Sequence, residues 1–294
     1  MELCNFIFVD HRSDDFIIDK MLFYRDIFPD RLFVLVTNRT DVKLPLSLSN
    51  VPVVITTSGH YKISGYLFAS LFLVPGVADA IMRYCDNGRP NIILECDLEV
   101  CRRDIEERVY DLLSTRTKSQ VGLCCFNSKP PAGEVFAYTG SGVCEEHNRA
   151  FGYDYPIAAT TLGGSVMMYA GAKAITDWRE KPEVSIYFDF LCRSAEKIEA
   201  GQMKTCYGVQ YFTDYFFPSV CLLSGLSIAN PINNVVPRYP HQAGDTVDAN
   251  SSSDVDSMLN DDRFYVIHHV SKDRERFPGA LDSFNKVRNK LQGR

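Results

Sequence analysis

Short, nearly continuous apolar runs recur along the first half of the chain, separated by longer stretches in which apolar residues return every three or four positions. The runs Asn5 to Val9, Leu32 to Thr37, Val51 to Thr56, Ile92 to Cys96, Val121 to Phe126 and Ser165 to Tyr169 predict strands covered on both faces. A strand with one wet face would alternate apolar and polar residues instead. Asp15 to Phe28 has helical spacing and stops before Pro29, and Asp104 to Ser114 opens with an acidic first turn that suits a helix dipole. Strand, helix, strand in that order predicts an α/β fold, an open sheet that receives ligands at the carboxyl ends of its strands.

The longest apolar run, Tyr66 to Met82, is interrupted by Ser70, Pro75-Gly76 and Asp79. It predicts a buried helix with a break, short of the ~20 residues that span a bilayer. The second half is less regular. Ser128 to Tyr155 is rich in Gly, Pro and polar residues and predicts a long loop; Gly201 to Leu223 is aromatic and predicts a helix in its later part. Ser227 to Asp262, including Ser251-Ser252-Ser253-Asp254, reads as a flexible excursion, and order returns in the strand-like run Phe264 to Val270.

Composition narrows the picture in three ways. With 46% hydrophobic and 23% charged residues the chain can bury a full core. A formal net charge of -6, with no local basic patch, argues against a nucleic-acid partner. The ten cysteines show no CxxC pair or zinc-like spacing. With no export signal after Met1 and no transmembrane segment, they read as reduced, mostly buried thiols of a soluble cytoplasmic protein.

The chemistry-bearing stretch is Asn91-Ile92-Ile93-Leu94-Glu95-Cys96-Asp97-Leu98-Glu99-Val100, an apolar strand running into acids spaced two apart. In an extended chain Glu95, Asp97 and Glu99 project together and Cys96 and Leu98 point the other way. Such neighbours need solvent or a hard divalent cation. A strand that ends in a solvated acidic turn is the alternative. Asp10, His11 and Arg12, at the end of the first strand, lie where an open α/β sheet takes a nucleotide, a solvated turn being again the alternative. Gly140-Ser141-Gly142 lacks the third glycine of a dinucleotide fingerprint, and Gly171-Ala172-Lys173 lacks the spacing of a phosphate loop. No GxSxG elbow and no HExxH helix is present.

Taken in order, these pieces resemble the glycosyltransferases of the GT-A fold, a nucleotide-sugar-dependent class whose acidic strand end is written DxD. Ile92-Ile93-Leu94-Glu95-Cys96-Asp97-Leu98 is similar to that motif with Glu95 in place of the first Asp; Asp97-Leu98-Glu99 is a second register, and only Asp97 belongs to both. The family's glycine pair before an apolar strand is matched by Leu162-Gly163-Gly164-Ser165-Val166, and its downstream glutamine loosely by Gln210. Ile267-His268-His269-Val270-Ser271-Lys272 resembles its terminal metal-binding histidine and following lysine, with a serine where the family has glycine.

The resemblance implies a single domain with a Rossmann-type open mixed sheet flanked by helices. A nucleotide-sugar-binding half at 1–126 would be followed by a less regular acceptor-side half at 127–294, with a flexible loop near 227–262. It implies Mn²⁺ or Mg²⁺ held by Asp97, joined by Glu95 or Glu99, and by one of His268 and His269. Donor contacts would come from Asp10, His11, Arg12, Glu95, Asp97, Gly163, Gly164, Gln210 and Lys272, and Asp189 or Asp214 would serve as base toward an acceptor hydroxyl. The expected reaction moves a sugar from a nucleoside diphosphate, UDP by family frequency, to a glycan or other hydroxyl acceptor. Two readings stand beside it: an inactive relative serving as a binding or scaffold protein, which Glu95 keeps open, and a sugar-phosphate nucleotidyltransferase. The latter would need a glycine-rich basic loop where Asp10 to Asp15 stands.

Overall fold

The computed structural model describes residues 3–56, 76–77, 79–85, 87–114, 121–125, 166–168, 182, 200, 202, 227–229, 242–243, 246–248, 251–262, 265–268, 270 and 277–294. The strands are β1 (Asn5–Val9), β2 (Phe33–Thr37), β3 (Val53–Ile55), β4 (Asn91–Glu95), β5 (Leu98–Val100), β6 (Val121–Cys125), β7 (Val166–Met168), β8 (Ser227–Ala229), β9 (Gln242–Ala243), β10 (Thr246–Asp248) and β11 (Val266–His268). The helices are α1 (Asp14–Ile27), α2 (Ile105–Ser114), α3 (Ser252–Leu259) and α4 (Ala280–Gln292), with a further helical stretch at 79–84.

The main sheet has seven strands in the order β3-β2-β1-β4-β7-β6-β8. β3, β2, β1 and β4 are mutually parallel, while β7 runs antiparallel to β4 and β6. This is the open mixed α/β sheet that the apolar runs predict, because β1 and β2 are buried at every residue and need cover on both faces. α1 supplies part of that cover through Ile17, Lys20, Met21 and Tyr24, one stripe at helical spacing. Phe6, Phe8, Tyr24, Phe28 and Phe33 form the aromatic centre of the core, with the Phe6 and Phe28 rings 5.0 Å apart and Phe33 edge-on to Phe8 at 5.4 Å.

A second sheet, β5-β11-β10-β9, joins the two halves of the sequence. β5 pairs antiparallel with β11, and β10 lies parallel to β11. α3 and α4 pack beside it around Val255, Met258, Ile267, Phe284 and Val287. Within the expected excursion Ser227 to Asp262, Ser252–Leu259 is a helix instead: Ser251 accepts from the Asp254 N–H at 3.2 Å and caps α3. A serine run favours a helix start when Val255 and Met258 can be buried behind it, as they are.

The expected loop Ser128 to Tyr155 and nearly all of Gly201 to Leu223 lie outside the described residues, as does Tyr66 to Met82 before residue 76. Gly76 lies against β2 so closely that an added Cβ would stand 2.1 Å from Thr56 Cγ2 and 2.5 Å from Val36 Cγ1. Among the described residues no helix is long and apolar enough to cross a membrane, and Cys4, Cys85, Cys96 and Cys101 are thiols outside any disulfide.

Candidate functional site

The parallel register that pairs Val9 with both Val36 and Glu95 brings the carboxyl ends of β1, β2 and β4 level. Asp10 follows β1 directly and is buried at 2% exposure, its N–H donating to Val36 O at 3.0 Å. The carboxylate is gripped by Arg12: Nε donates to Oδ1 at 2.9 Å, Nη2 to Oδ2 at 2.5 Å, and the Arg12 N–H to Oδ1 at 3.0 Å. Arg12 also lies over the Phe16 ring, 5.4 Å from its centroid, and its carbonyl accepts from Arg39 at 3.0 Å. Bidentate pairing and the ring contact fix the guanidinium beside the rim.

Glu95 closes β4, and Cys96 and Asp97 form a turn into β5. The turn overrides the expected extended alternation through Glu99. Glu99 is instead buried: its Oε2 accepts from the Tyr24 hydroxyl at 3.0 Å, and its Oε1 lies 3.6 Å from Lys20 Nζ and 3.9 Å from Arg288 Nη2. The expectation that Glu99 joins Asp97 as a metal ligand is not met by this geometry, because two cations and a phenol already surround its carboxylate in the interior. Lys20 spans the turn, donating to Glu95 O at 2.8 Å and Leu98 O at 2.6 Å, with Cys96 O at 3.5 Å.

The late histidine arrives from the other end of the chain. β11 pairs with β5 so that His268 stands opposite Leu98, Ile267 opposite Glu99 and Val266 opposite Val100. Just beyond β11, the Val270 N–H donates to Asp97 O at 3.2 Å. The backbones of Asp97 and His268 therefore meet at one strand end. β7 runs antiparallel to β4 with Met167 opposite Ile92, so its amino end points toward this rim. Gly163 and Gly164 precede β7, but they, His269, Lys272, Gln210, Asp189 and Asp214 lie outside the described residues.

One ligand-atom group was not legible in the sequence: Asp10, His11 and Cys96 each offer an atom within 4.8 Å of the others. Burial pushes the Cys96 thiol up to about 12, and the charges of Asp97 and Asp10 act in the same direction. Cys96 is thus a neutral thiol at ordinary pH, and Asp10 is already engaged by Arg12, so two of these three groups are poorly disposed toward a cation. Lys20 is the other site residue absent from the sequence expectations, although a lysine inside the apolar stripe Ile17, Met21, Tyr24 is a signal visible in the sequence.

No family model matches the sequence, and no curated protein matches it. Among solved structures the chain is similar to a galactosyltransferase, LgtC, in complex with donor and acceptor sugar analogs, at TM-score 0.45 and 11% identity over 98% of this chain and 96% of that one. It is also similar to a glycosyltransferase involved in the glycosylation of the major capsid of PBCV-1, at TM-score 0.38 and 10% identity over 99% of this chain and 100% of that one.

Proposed function

We propose that this chain transfers a sugar from a nucleoside-diphosphate donor, a UDP-sugar by family frequency, to a glycan or other hydroxyl acceptor, with Mn²⁺ or Mg²⁺ at the rim where β4 ends. The observation that carries this reading is the pairing of β5 with β11, which sets His268 opposite Leu98 while Val270 holds Asp97 O. Two segments far apart in sequence, each resembling a metal-binding piece of the GT-A glycosyltransferases, thereby adjoin.

In this reading Asp97, Glu95 and His268 hold the ion, a mixed carboxylate and imidazole set suited to either metal. A bound divalent ion would offset the charge that builds on the diphosphate as the glycosidic bond breaks. The chain's own residues do the remaining work. Asp10, His11 and Arg12, level with Glu95 on the neighbouring strand, contact the nucleotide; the Asp10–Arg12 pair keeps this edge preorganised, which lowers the ordering cost of binding. Gly163, Gly164, Gln210 and Lys272 complete the donor contacts, and Asp189 or Asp214 takes the acceptor proton.

The test is calorimetric titration of a panel of nucleotide sugars with Mn²⁺ and then with chelator, for the unaltered chain and for Asp97→Ala. Metal-dependent binding of one donor, lost in the variant, is expected. Absence of any donor binding would sink the reading, and binding without turnover would favour an inactive binding protein.

A further inference from the structure

We infer that Lys20 is a positioning residue for this rim, clamping from behind the turn that carries Glu95 and Asp97; the inference rests on the metal-site reading above. Lys20 occupies a core position of α1, between Ile17 and Tyr24 on the buried stripe, and is 2% exposed. Removing an ammonium from water is costly unless it is fully hydrogen-bonded and paired. An apolar residue would fill that stripe more cheaply, so packing alone does not account for a lysine there.

Its contacts do account for it. The three N–H bonds of an ammonium meet Glu95 O at 2.8 Å, Leu98 O at 2.6 Å and, less closely, Cys96 O at 3.5 Å. The remaining carbonyl of the turn, Asp97 O, accepts from the Val270 N–H at 3.2 Å. The turn is therefore held at every carbonyl from Glu95 to Leu98, from α1 on one side and from the chain after His268 on the other. Glu99 balances the Lys20 charge at 3.6 Å, so the buried ammonium is paired as well as hydrogen-bonded. A turn ordered in advance spares an incoming ion the cost of ordering it, and partners that orient metal ligands typically contribute 10–100-fold in affinity.

The experiment uses the full chain and Mn²⁺ itself, with free Mn²⁺ read by electron paramagnetic resonance. Lys20→Met alone would strand Glu99, so the main variant is Lys20→Met/Glu99→Gln, with Glu99→Gln as control. The double variant is expected to keep its circular dichroism spectrum, to lose Mn²⁺ affinity about tenfold or more, and to exchange the amides of residues 96–100 faster. The control is expected to bind Mn²⁺ as the unaltered chain does. A folded double variant with unchanged Mn²⁺ affinity would overturn the clamp while leaving the rim as a metal site. An unaltered chain that binds no Mn²⁺ would overturn the rim reading and the clamp's role with it. Should the double variant not fold, Lys20→Gln/Glu99→Gln is read the same way: affinity down supports the clamp, affinity unchanged overturns it.

Discussion

The Tyr24 hydroxyl donates to Glu99 Oε2 at 3.0 Å and accepts from the Val100 N–H at 2.8 Å, so one phenol from α1 satisfies both a buried carboxylate and the backbone of β5. Tyr24→Phe keeps the ring packing and removes both bonds. Leaving a buried N–H and a carboxylate oxygen short of partners costs roughly 2–4 kcal/mol. The expected outcome is a lower urea midpoint with an unchanged slope; a midpoint equal to that of the unaltered chain would mean that neither bond contributes.

Arg288 anchors the last helix. Its guanidinium lies between the Phe23 and Phe284 rings, 4.2 and 4.4 Å from their centroids, and pairs with Asp19 at 2.7 Å. Arg288→Ala removes stacking and charge together and is expected to cost about 3 kcal/mol. Arg288→Lys should recover little of this in thermal melts, because a compact ammonium does not stack as a planar guanidinium does.

Gly76 has no room for a methyl group between Thr56 and Val36. Gly76→Ala is expected to destabilise by about 1–3 kcal/mol through displaced neighbours, although alanine is the better helix former. Denaturant titration decides it: a gain in stability would show that the two segments pack less closely than described.

Alkaline pH should weaken the fold. Burial pushes the thiols of Cys85, Cys96 and Cys101 up from 9.0 to about 12, and burial followed by the Glu99 charge raises Tyr24 well above its ordinary value. A raised acid holds its proton more tightly when folded. Its contribution is complete below pH 9 for the thiols and is lost as pH rises through about 12. Unfolding free energy is expected to fall by about 1.4 kcal/mol per pH unit for each such thiol in that window, and Cys101→Ala should remove one share of the slope. The same burial makes Cys96 slow toward thiol reagents at pH 8; rapid labelling of the folded chain there would contradict its protonated state.

The parts of the fold legible in the sequence are those whose signal is local. β1, β2, β4 and β6 announce themselves because their runs are continuously apolar, and α1 and α2 because their spacing and acidic first turns are contained within one segment. α4 carries a signal of the same local kind, in the spacing of Ala280, Phe284, Val287 and Leu291 between Gly279 and Gly293. β5 and β8 to β10 are only two or three residues long and carry no period from which to read them.

At the site, the sequence by itself determined that acids and histidines of the right kinds stand at the ends of strand-like runs, and that Asp97 belongs to either register of the acidic motif. It did not determine which of them share a location. Tertiary structure decided that Cys96 and Asp97 turn rather than extend, so that Glu99 enters the interior with Tyr24 and Lys20. It also decided that β11 returns to β5, setting His268 opposite Leu98. The physical reason is that side-chain period follows from backbone geometry within one segment, whereas strand pairing between distant segments depends on burial and hydrogen bonding summed over the whole core.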